Sequence, residues 1–253
     1  MAEPKPATGP HISIKAEPVF NIGNFHITNS LLLSAFVFIL FAVGAFLYLR
    51  SYQTKKKNTF FYLITYILQE LHKLFESALG EKVNYFFPLV GAFFFYILLN
   101  NWSGLLPGVG SLLVQEPGVV GHHMIPLLRA NTADLNTTIA LALIAMIYIQ
   151  YIGIKTLGIK KYGSKFINFS SPIAFFVGIL EIVSELSRIL SFAFRLFGNI
   201  FAGEVLLAVV AFLIPVLASF PFLLLEVFVG FIQAVVFSML AAVLFNLAVS
   251  EHH

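Results

Sequence analysis

The stretch SRILSFAFRLFGNIFAGEVLLAVVAFL, residues 187–213, places an arginine, an asparagine and a glutamate inside a long run of apolar residues. It belongs to a longer apolar segment, residues 166–250, in which few side chains are charged. These are Glu181, Glu185, Arg188, Arg195, Glu204 and Glu226. An ionisable group inside a membrane-spanning segment costs about 2.5–3.5 kcal/mol on insertion scales. Each of these residues is therefore a candidate functional residue of a membrane protein.

The composition of the whole chain also indicates a membrane protein. Hydrophobic residues make up 59% of the 253 residues, and charged residues make up only 11%, whereas a soluble domain has about 25% charged residues. The net charge of +3 is small, and aromatic residues do not alternate with basic ones, so no nucleic-acid partner is expected. The chain has no cysteine, which excludes disulfides and thiolate metal sites.

Charge-free stretches predict five membrane-crossing helices, since about 20 apolar residues are enough to span the hydrocarbon core. The predicted spans are 27–49, 83–102, 135–154, 170–213 and 215–250. The stretch Phe60–Leu79 mixes Glu70 and Lys73 with apolar residues, which favours an amphipathic helix in the interface. We therefore expect an all-α membrane protein with five membrane-crossing helices plus an interfacial amphipathic helix. The last two helices exceed a perpendicular span and are expected to form a long tilted hairpin.

The domain organisation follows from the same pattern. Residues 1–26 are polar and contain several prolines, and we expect them to form a loosely ordered tail. Residues 27–253 are expected to form a single transmembrane domain that translocates ions, with its last hairpin at about 170–250. Lysine and arginine in short loops mark the cytoplasmic side. The basic loops after Arg50 and Lys155 are thus predicted to face the cytoplasm or matrix, and the N-terminus the opposite side.

Polar residues of the last two predicted helices fall at matching depths. Glu204 lies eleven residues before Pro215 and Glu226 eleven residues after it, so each is about 16 Å from the turn at 1.5 Å per residue. Arg195 and Gln233 lie twenty and eighteen residues from the same proline and form a deeper level. We expect Glu204 and Glu226 to titrate as a coupled pair, because two nearby carboxylates influence each other's ionisation.

Helical phase predicts that Arg195 faces a partner helix. At 100° per residue it shares one face with Ser184, Ser187, Arg188, Ser191, Gly198 and Ala202. Small residues on such a face allow another helix to approach closely. Simple packing is the alternative, but it does not explain an arginine in the middle of the face. Glu204 points to the opposite side, and the Glu185–Arg188 pair at i, i+3 could equally be an ordinary surface ion pair.

These residues resemble the signature of subunit a of the F-type ATP synthases. The similarity runs from about Phe60 to the C-terminus, and its most specific part is SFAFRLFGNIFAGE at 191–204. Other similar runs are EIVSELSR at 181–188, FIQAVVF at 231–237 and DLNTT at 134–138. The resemblance implies an ion-translocating stator subunit that carries protons, with sodium ions as the alternative. The implied partners are a c-ring, b-type peripheral stalk subunits and the lipid bilayer.

The resemblance also implies roles for single residues. The arginine of the family motif, here Arg195, faces the ion-carrying carboxylate of the ring and separates two half-channels. The residues expected to take part in ion translocation are Arg195, Glu204, Glu226, Gln233, Asn199, Glu181, Glu185, Arg188 and Asp134. Some members pair a carboxylate with a histidine at the positions of Glu204 and Glu226, whereas this chain has two carboxylates. No cofactor is implied, and ATP chemistry is expected in other subunits. The expected location is a bacterial inner membrane, or alternatively a mitochondrial inner membrane.

A different class of protein remains an alternative on sequence grounds. A stand-alone secondary transporter or channel would also place ionisable residues in membrane helices, but such proteins often contain internal repeats. No convincing repeat is present here. A purely structural membrane anchor does not explain six intramembrane charges. The pairs His122–His123 and His252–His253 lack the further ligands that a metal site needs, so no metal site is expected.

Overall fold

The computed structural model describes residues 15–22, 25–54, 57–106, 108–110, 112–115, 124–166, 170–214 and 219–250. Helices dominate the described residues. The α-helices are α1 (Asn29–Gln53), α2 (Thr59–Leu79), α3 (Val83–Gly104), α4 (Leu135–Leu157), α5 (Ile159–Phe166), α6 (Pro172–Leu213) and α7 (Ser219–Ser250). Four short strands form two antiparallel pairs. These strands are β1 (Pro18–Ile22), β2 (Phe25–Thr28), β3 (Leu113–Gln115) and β4 (Met124–Pro126).

Five helical segments of the described chain are long and apolar enough to cross a membrane. They are α1, the α2–α3 segment, α4, α6 and α7. This confirms the predicted all-α fold with five membrane-crossing helices. The chain turns sharply between α2 and α3 at Gly80, whose φ is +57°. The His72 ring lies 3.0 Å from Asn84 Oδ1 across this turn, so α2 folds back beside the start of α3.

The helix α2 has the amphipathic character that its sequence predicts. One face buries Phe61, Leu71 and Phe75 against the other helices. The opposite face carries the exposed ion pair of Glu70 and Lys73, whose Oε1 and Nζ are 2.8 Å apart.

The two last helices are the longest of the described chain. The helix α6 has 42 residues, about 63 Å at 1.5 Å per residue, which is twice the thickness of the hydrocarbon core. Ser171 caps its start, where the hydroxyl accepts a hydrogen bond from the Ala174 amide at 3.1 Å. Pro215, the predicted centre of the turn, lies outside the described residues. The helices before and after it, α6 and α7, pack against each other.

The core lies where α3, α4, α6 and α7 meet, and α1 lies at the periphery. Alanines at positions 234, 241 and 242 on α7 are completely buried, which allows its neighbours to approach closely. Phenylalanines fill the remaining space between α3 and α7. The ring centroids of Phe93 and Phe237 are 5.6 Å apart, and those of Phe86 and Phe245 are 5.5 Å apart.

The described residues 15–22 and 25–28, part of which lie in the predicted loose tail, include two paired strands. Residues 1–14 lie outside the described residues, but β1 and β2 form an antiparallel hairpin within the expected loose tail and at its end. Asn29, at the start of α1, makes contacts that fix this hairpin. Its Oδ1 accepts from the Glu17 amide at 3.2 Å, and its Nδ2 donates to the Pro126 carbonyl at 3.2 Å. The hairpin is thereby joined to the loop between α3 and α4.

Candidate functional site

A cavity of about 590 Å³ opens between α6, α7 and the connection from α3 to α4. Most of the described residues that line it are apolar, including Leu105, Ile200 and Leu207. The charged residues among them are Arg129, Glu204 and Glu226. The cavity therefore brings two of the predicted site residues together with a residue that was not predicted.

Arg129 is the unpredicted member of this group, and it is buried, with 5% of its surface exposed. Its Nε lies 3.3 Å from Oε1 of Glu204, whose side chain is 41% exposed. Nη1 of Arg129 donates to the Lys15 carbonyl at 3.0 Å, and Nη2 to the Ala133 carbonyl at 3.4 Å. A buried charge needs a partner of opposite sign and further hydrogen bonds, and Arg129 has both. The only sequence signal for it is that no other lysine or arginine occurs between Gly104 and Asp134.

Glu226 occupies a narrow space beside α6 and is 6% exposed. A Cβ atom added at Gly203 would lie 1.9 Å from Oε2 of Glu226, so the carboxylate fills the room that the glycine leaves. The absence of a side chain at Gly203 therefore lets the Glu226 carboxylate lie directly against α6. Glu204 and Glu226 line the same cavity, while their roles in ion translocation stay a prediction.

Gln233 and Asn199 form the second polar contact between α6 and α7. Nδ2 of Asn199 donates to Oε1 of Gln233 at 2.8 Å. Gln233 is buried, and its Nε2 has no hydrogen-bond partner among the described residues. Asn199 lies one helical turn beyond Arg195 on α6, so this hydrogen bond is close to the level at which Gln233 was predicted to lie.

Arg195 is exposed on the surface of α6. Its Nη2 donates to Oγ of Ser191, one turn earlier, at 3.1 Å. A Cβ added at Gly198, on the same face, would meet no other atom within 4 Å. The predicted face of small residues is exposed or half-exposed along its whole length, so the described part of the chain leaves it uncovered.

A second polar cluster lies near the start of α6. Nη1 of Arg188 is 2.9 Å from Oε1 of Glu185, and Nζ of Lys165 is 3.0 Å from Oε1 of Glu181. Lys165, Glu185 and Arg188 line a small cavity of about 40 Å³ together with Tyr162. Lys165 and Tyr162 belong to α5 and were not predicted as site residues. The Tyr162 hydroxyl donates to Oε1 of Gln150, which fixes α5 against α4.

Asp134, another predicted site residue, lines neither of the two cavities. It is buried and caps α4, where its Oδ1 accepts from the Asn136 amide at 3.1 Å. Its Oδ2 accepts from the Ser30 hydroxyl at 3.4 Å, which connects α4 to the start of α1. Among the described residues, its contacts are those of a helix cap, and its role in ion translocation stays a prediction.

The described residues contain no group of three or more histidine or acidic side chains that could hold a metal ion. The four histidines considered above, at positions 122, 123, 252 and 253, lie outside the described residues.

The order of these groups along α6 defines the site. Arg195 lies seven residues after Arg188 and nine residues before Glu204, or about 10 Å and 14 Å along the helix axis. An exposed guanidinium thus lies along one continuous helix between two cavities that each contain charged residues. The family model described as ATP synthase A chain matches residues 31–246, a range that includes every predicted site residue and Arg129.

Proposed function

The chain belongs to the ATP synthase A chain family and is an integral membrane protein, and from this membership we propose that it is the proton-translocating stator subunit of an F-type ATP synthase. The observation that carries the proposal is the position of Arg195. Its guanidinium is exposed on α6 between the cavity of Glu204 and Glu226 and the cluster of Glu185 and Arg188. A c-ring that covers this face of α6 would meet the guanidinium directly.

The larger cavity serves as the half-channel that opens to the N-terminal side. Glu204 and Glu226 accept protons there, since carboxylates in a cavity of this size can exchange protons with water. Arg129 holds the carboxylate of Glu204 in place from the loop. The hydrogen-bonded side chains of Asn199 and Gln233 continue the polar path toward the level of Arg195.

Arg195 separates the two half-channels and acts on the passing ring. A guanidinium stays charged at any biological pH, and it stabilises the ionised form of a carboxylate that comes within about 4–6 Å. Each ring carboxylate therefore releases its proton as it passes. The fixed positive charge also prevents a continuous proton path between the cavities. The cluster of Glu181, Glu185, Arg188 and Lys165 lies where the released proton leaves toward the cytoplasm or matrix.

The partners follow from this role. A c-ring lies against the face of Arg195, b-type peripheral stalk subunits hold the chain against rotation, and other subunits carry out ATP chemistry. The membrane is a bacterial inner membrane, with a mitochondrial inner membrane as the alternative location.

Purification in mild detergent distinguishes this role from that of a stand-alone transporter. We expect an affinity-tagged chain to copurify with a ring of small membrane subunits and to translocate ions only in the complex. Proteoliposomes of the complex should acidify when ATP is added in sodium-free buffer, because protons are the expected ion. Ion transport by the isolated chain would support the transporter instead, and a strict requirement for sodium would exclude protons as the ion.

The pair of carboxylates in the larger cavity leads to a prediction about pH dependence. We expect Glu204→Gln and Glu226→Gln each to reduce ATP-driven proton transport and to change its pH profile, because each carboxylate influences the ionisation of the other. The double variant should lose less than the product of the two single losses, as is usual for residues that act as a unit. The measurement is the initial rate of ATP-driven proton uptake as a function of pH, compared between the original protein, the two single variants and the double variant. Multiplicative losses with unchanged profiles would mean that the two carboxylates act separately.

A further inference from the structure

The end of α3 is joined to α7 by two side chains that donate to main-chain carbonyls. Nδ2 of Asn101 donates to the Gly230 carbonyl at 2.9 Å, and Nε1 of Trp102 donates to the Val227 carbonyl at 3.0 Å. Asn101 is 2% exposed, so its hydrogen bond is protected from water. Because both acceptors are main-chain carbonyls, these contacts fix the backbone of α7 and do not depend on the side chains at Val227 and Gly230.

Gly230 makes this contact possible. A Cβ added at Gly230 would lie 3.1 Å from Cβ of Asn101 and 3.6 Å from Cδ1 of Trp102. The first distance is tighter than an ordinary contact between carbon atoms, and the second is an ordinary contact. A larger residue at position 230 would therefore push α3 away from α7 and lengthen the hydrogen bond of Asn101.

The other end of the Asn101 side chain binds the loop that carries Arg129. Oδ1 of Asn101 accepts from the hydroxyl of Thr132 at 2.7 Å, and both residues are buried. Thr132 lies in the same buried turn as Arg129, which reaches Glu204 on α6. Asn101 therefore connects the backbone of α7 to the turn that holds Glu204.

The carbonyls that accept these bonds lie within the functional part of α7. Val227 and Gly230 lie between Glu226 and Gln233 in the sequence. Glu226 faces Gly203 on α6, and Gln233 accepts a hydrogen bond from Asn199 on α6. A shift of α7 by one residue would move Glu226 by about 1.5 Å and turn it by about 100°. The space beside Gly203 is too narrow for the carboxylate to keep its place after such a change.

We propose that Asn101 is a positioning residue for the proton pathway, which sets the height and rotation of α7 and thereby the spacing of Glu226 and Glu204. The inference rests on the proposed function, since it assigns a purpose to that spacing. Asn101 touches no ion itself and acts through the main chain of α7 on one side and through Thr132 on the other.

The first test compares variants of similar size in the assembled complex. Asn101→Leu removes both hydrogen bonds, Thr132→Val removes the one to Oδ1, and Thr132→Ser retains a hydroxyl donor. Asn84→Leu is the matched control, because Asn84 is an exposed asparagine at the opposite end of α3, where it loses only an exposed hydrogen bond to His72 and lines neither cavity. ATP-driven proton uptake is measured per amount of assembled complex.

We expect the transport rate of Asn101→Leu to fall on the order of tenfold, because small displacements of reacting groups reduce rates steeply. The transport rate of Thr132→Val should lie between those of Asn101→Leu and the original protein. Thr132→Ser and Asn84→Leu should transport at close to the original rate.

The second test asks whether Asn101 acts through Glu226. We expect the double variant Asn101→Leu with Glu226→Gln to transport no more slowly than Glu226→Gln alone. Asn101→Leu acts by displacing the Glu226 carboxylate, and Glu226→Gln has already removed that carboxylate. Multiplicative losses, or a normal rate for Asn101→Leu, would overturn the inference. If Asn101→Leu fails to assemble, the comparison of Thr132→Val with Thr132→Ser decides, and equal rates for these two would overturn it. A normal rate for Glu226→Gln would instead contradict the proposed role of Glu226, independently of the result for Asn101→Leu.

Discussion

Replacing Arg195 with alanine is expected to abolish ion-coupled ATP synthesis while the complex still assembles. The side chain is exposed on α6 and contributes little to the core of the chain, so its removal leaves the packing of the helices intact. On the proposed function, what is lost is the fixed positive charge opposite the c-ring. Without that charge a ring carboxylate has no partner that stabilises its ionised form, and the coupling of proton release to rotation fails.

ATP synthesis driven by an imposed proton gradient in membrane vesicles measures this loss, and copurification of the ring measures assembly. Arg50→Ala is the control, because Arg50 is also an exposed arginine but lies in the last turn of α1 and lines neither cavity. Arg195→Lys should not restore synthesis fully, because a lysine in a poorly solvated site can lose its charge and lacks the planar group of arginine. Synthesis at half the normal rate in Arg195→Ala would refute the proposed role.

Gly203→Ala is expected to reduce proton transport strongly with little effect on folding. The added methyl group would lie 1.9 Å from Oε2 of Glu226, well inside van der Waals contact. The carboxylate is the end of a flexible side chain, so it can move away, and alanine is a better helix former than glycine. The helices therefore stay packed while Glu226 leaves its position. We expect the transport rate to fall on the order of tenfold to a hundredfold, because the carboxylate no longer lies beside α6.

A compensating variant makes this prediction specific. Glu226→Asp shortens the side chain by one methylene group, so in combination with Gly203→Ala it should recover part of the lost transport. Gly44→Ala is the control, since a Cβ at Gly44 in α1 would meet no other atom within 4 Å. The initial rate of ATP-driven proton uptake, normalised to assembled complex, compares all three. An unchanged rate in Gly203→Ala would show that the position of Glu226 does not limit transport.

The sequence was sufficient to predict the features that depend on local patterns. The five membrane-crossing helices follow from charge-free stretches, and they are confirmed. Helical phase predicted that Arg195 faces a partner helix, because residues on one face of a helix recur with a fixed period. In the described chain that face is uncovered, so the partner helix stays a prediction. The family resemblance, which the match over residues 31–246 confirms, rests on the same short runs of sequence.

The remaining features depend on contacts between distant parts of the chain. Arg129 and Glu204 are separated by 75 residues, and Asn101 and Gly230 by 129 residues. No periodic pattern connects a loop residue to a particular helix face. The sequence therefore marked Arg129 as the single basic residue of its loop but did not predict that it pairs with Glu204. Asp134 was grouped with the ion pathway by resemblance, whereas its position before α4 is also the usual place of a helix-capping aspartate. The strands β1 to β4 were not predicted, because segments of three to five residues are too short to show a clear alternation of polar and apolar residues.

The continuity of α6 also limits how such a protein can change during evolution. The helix runs without interruption from Pro172 to Leu213 and carries Glu185, Arg195 and Glu204 on one backbone. Inserting or deleting a single residue between these positions would turn everything beyond it by about 100° and shift it by about 1.5 Å. The guanidinium and the carboxylates would then no longer face their present surroundings. Descendants of this chain can exchange individual side chains along α6, but changes in length are tolerated only in the loops that connect the helices.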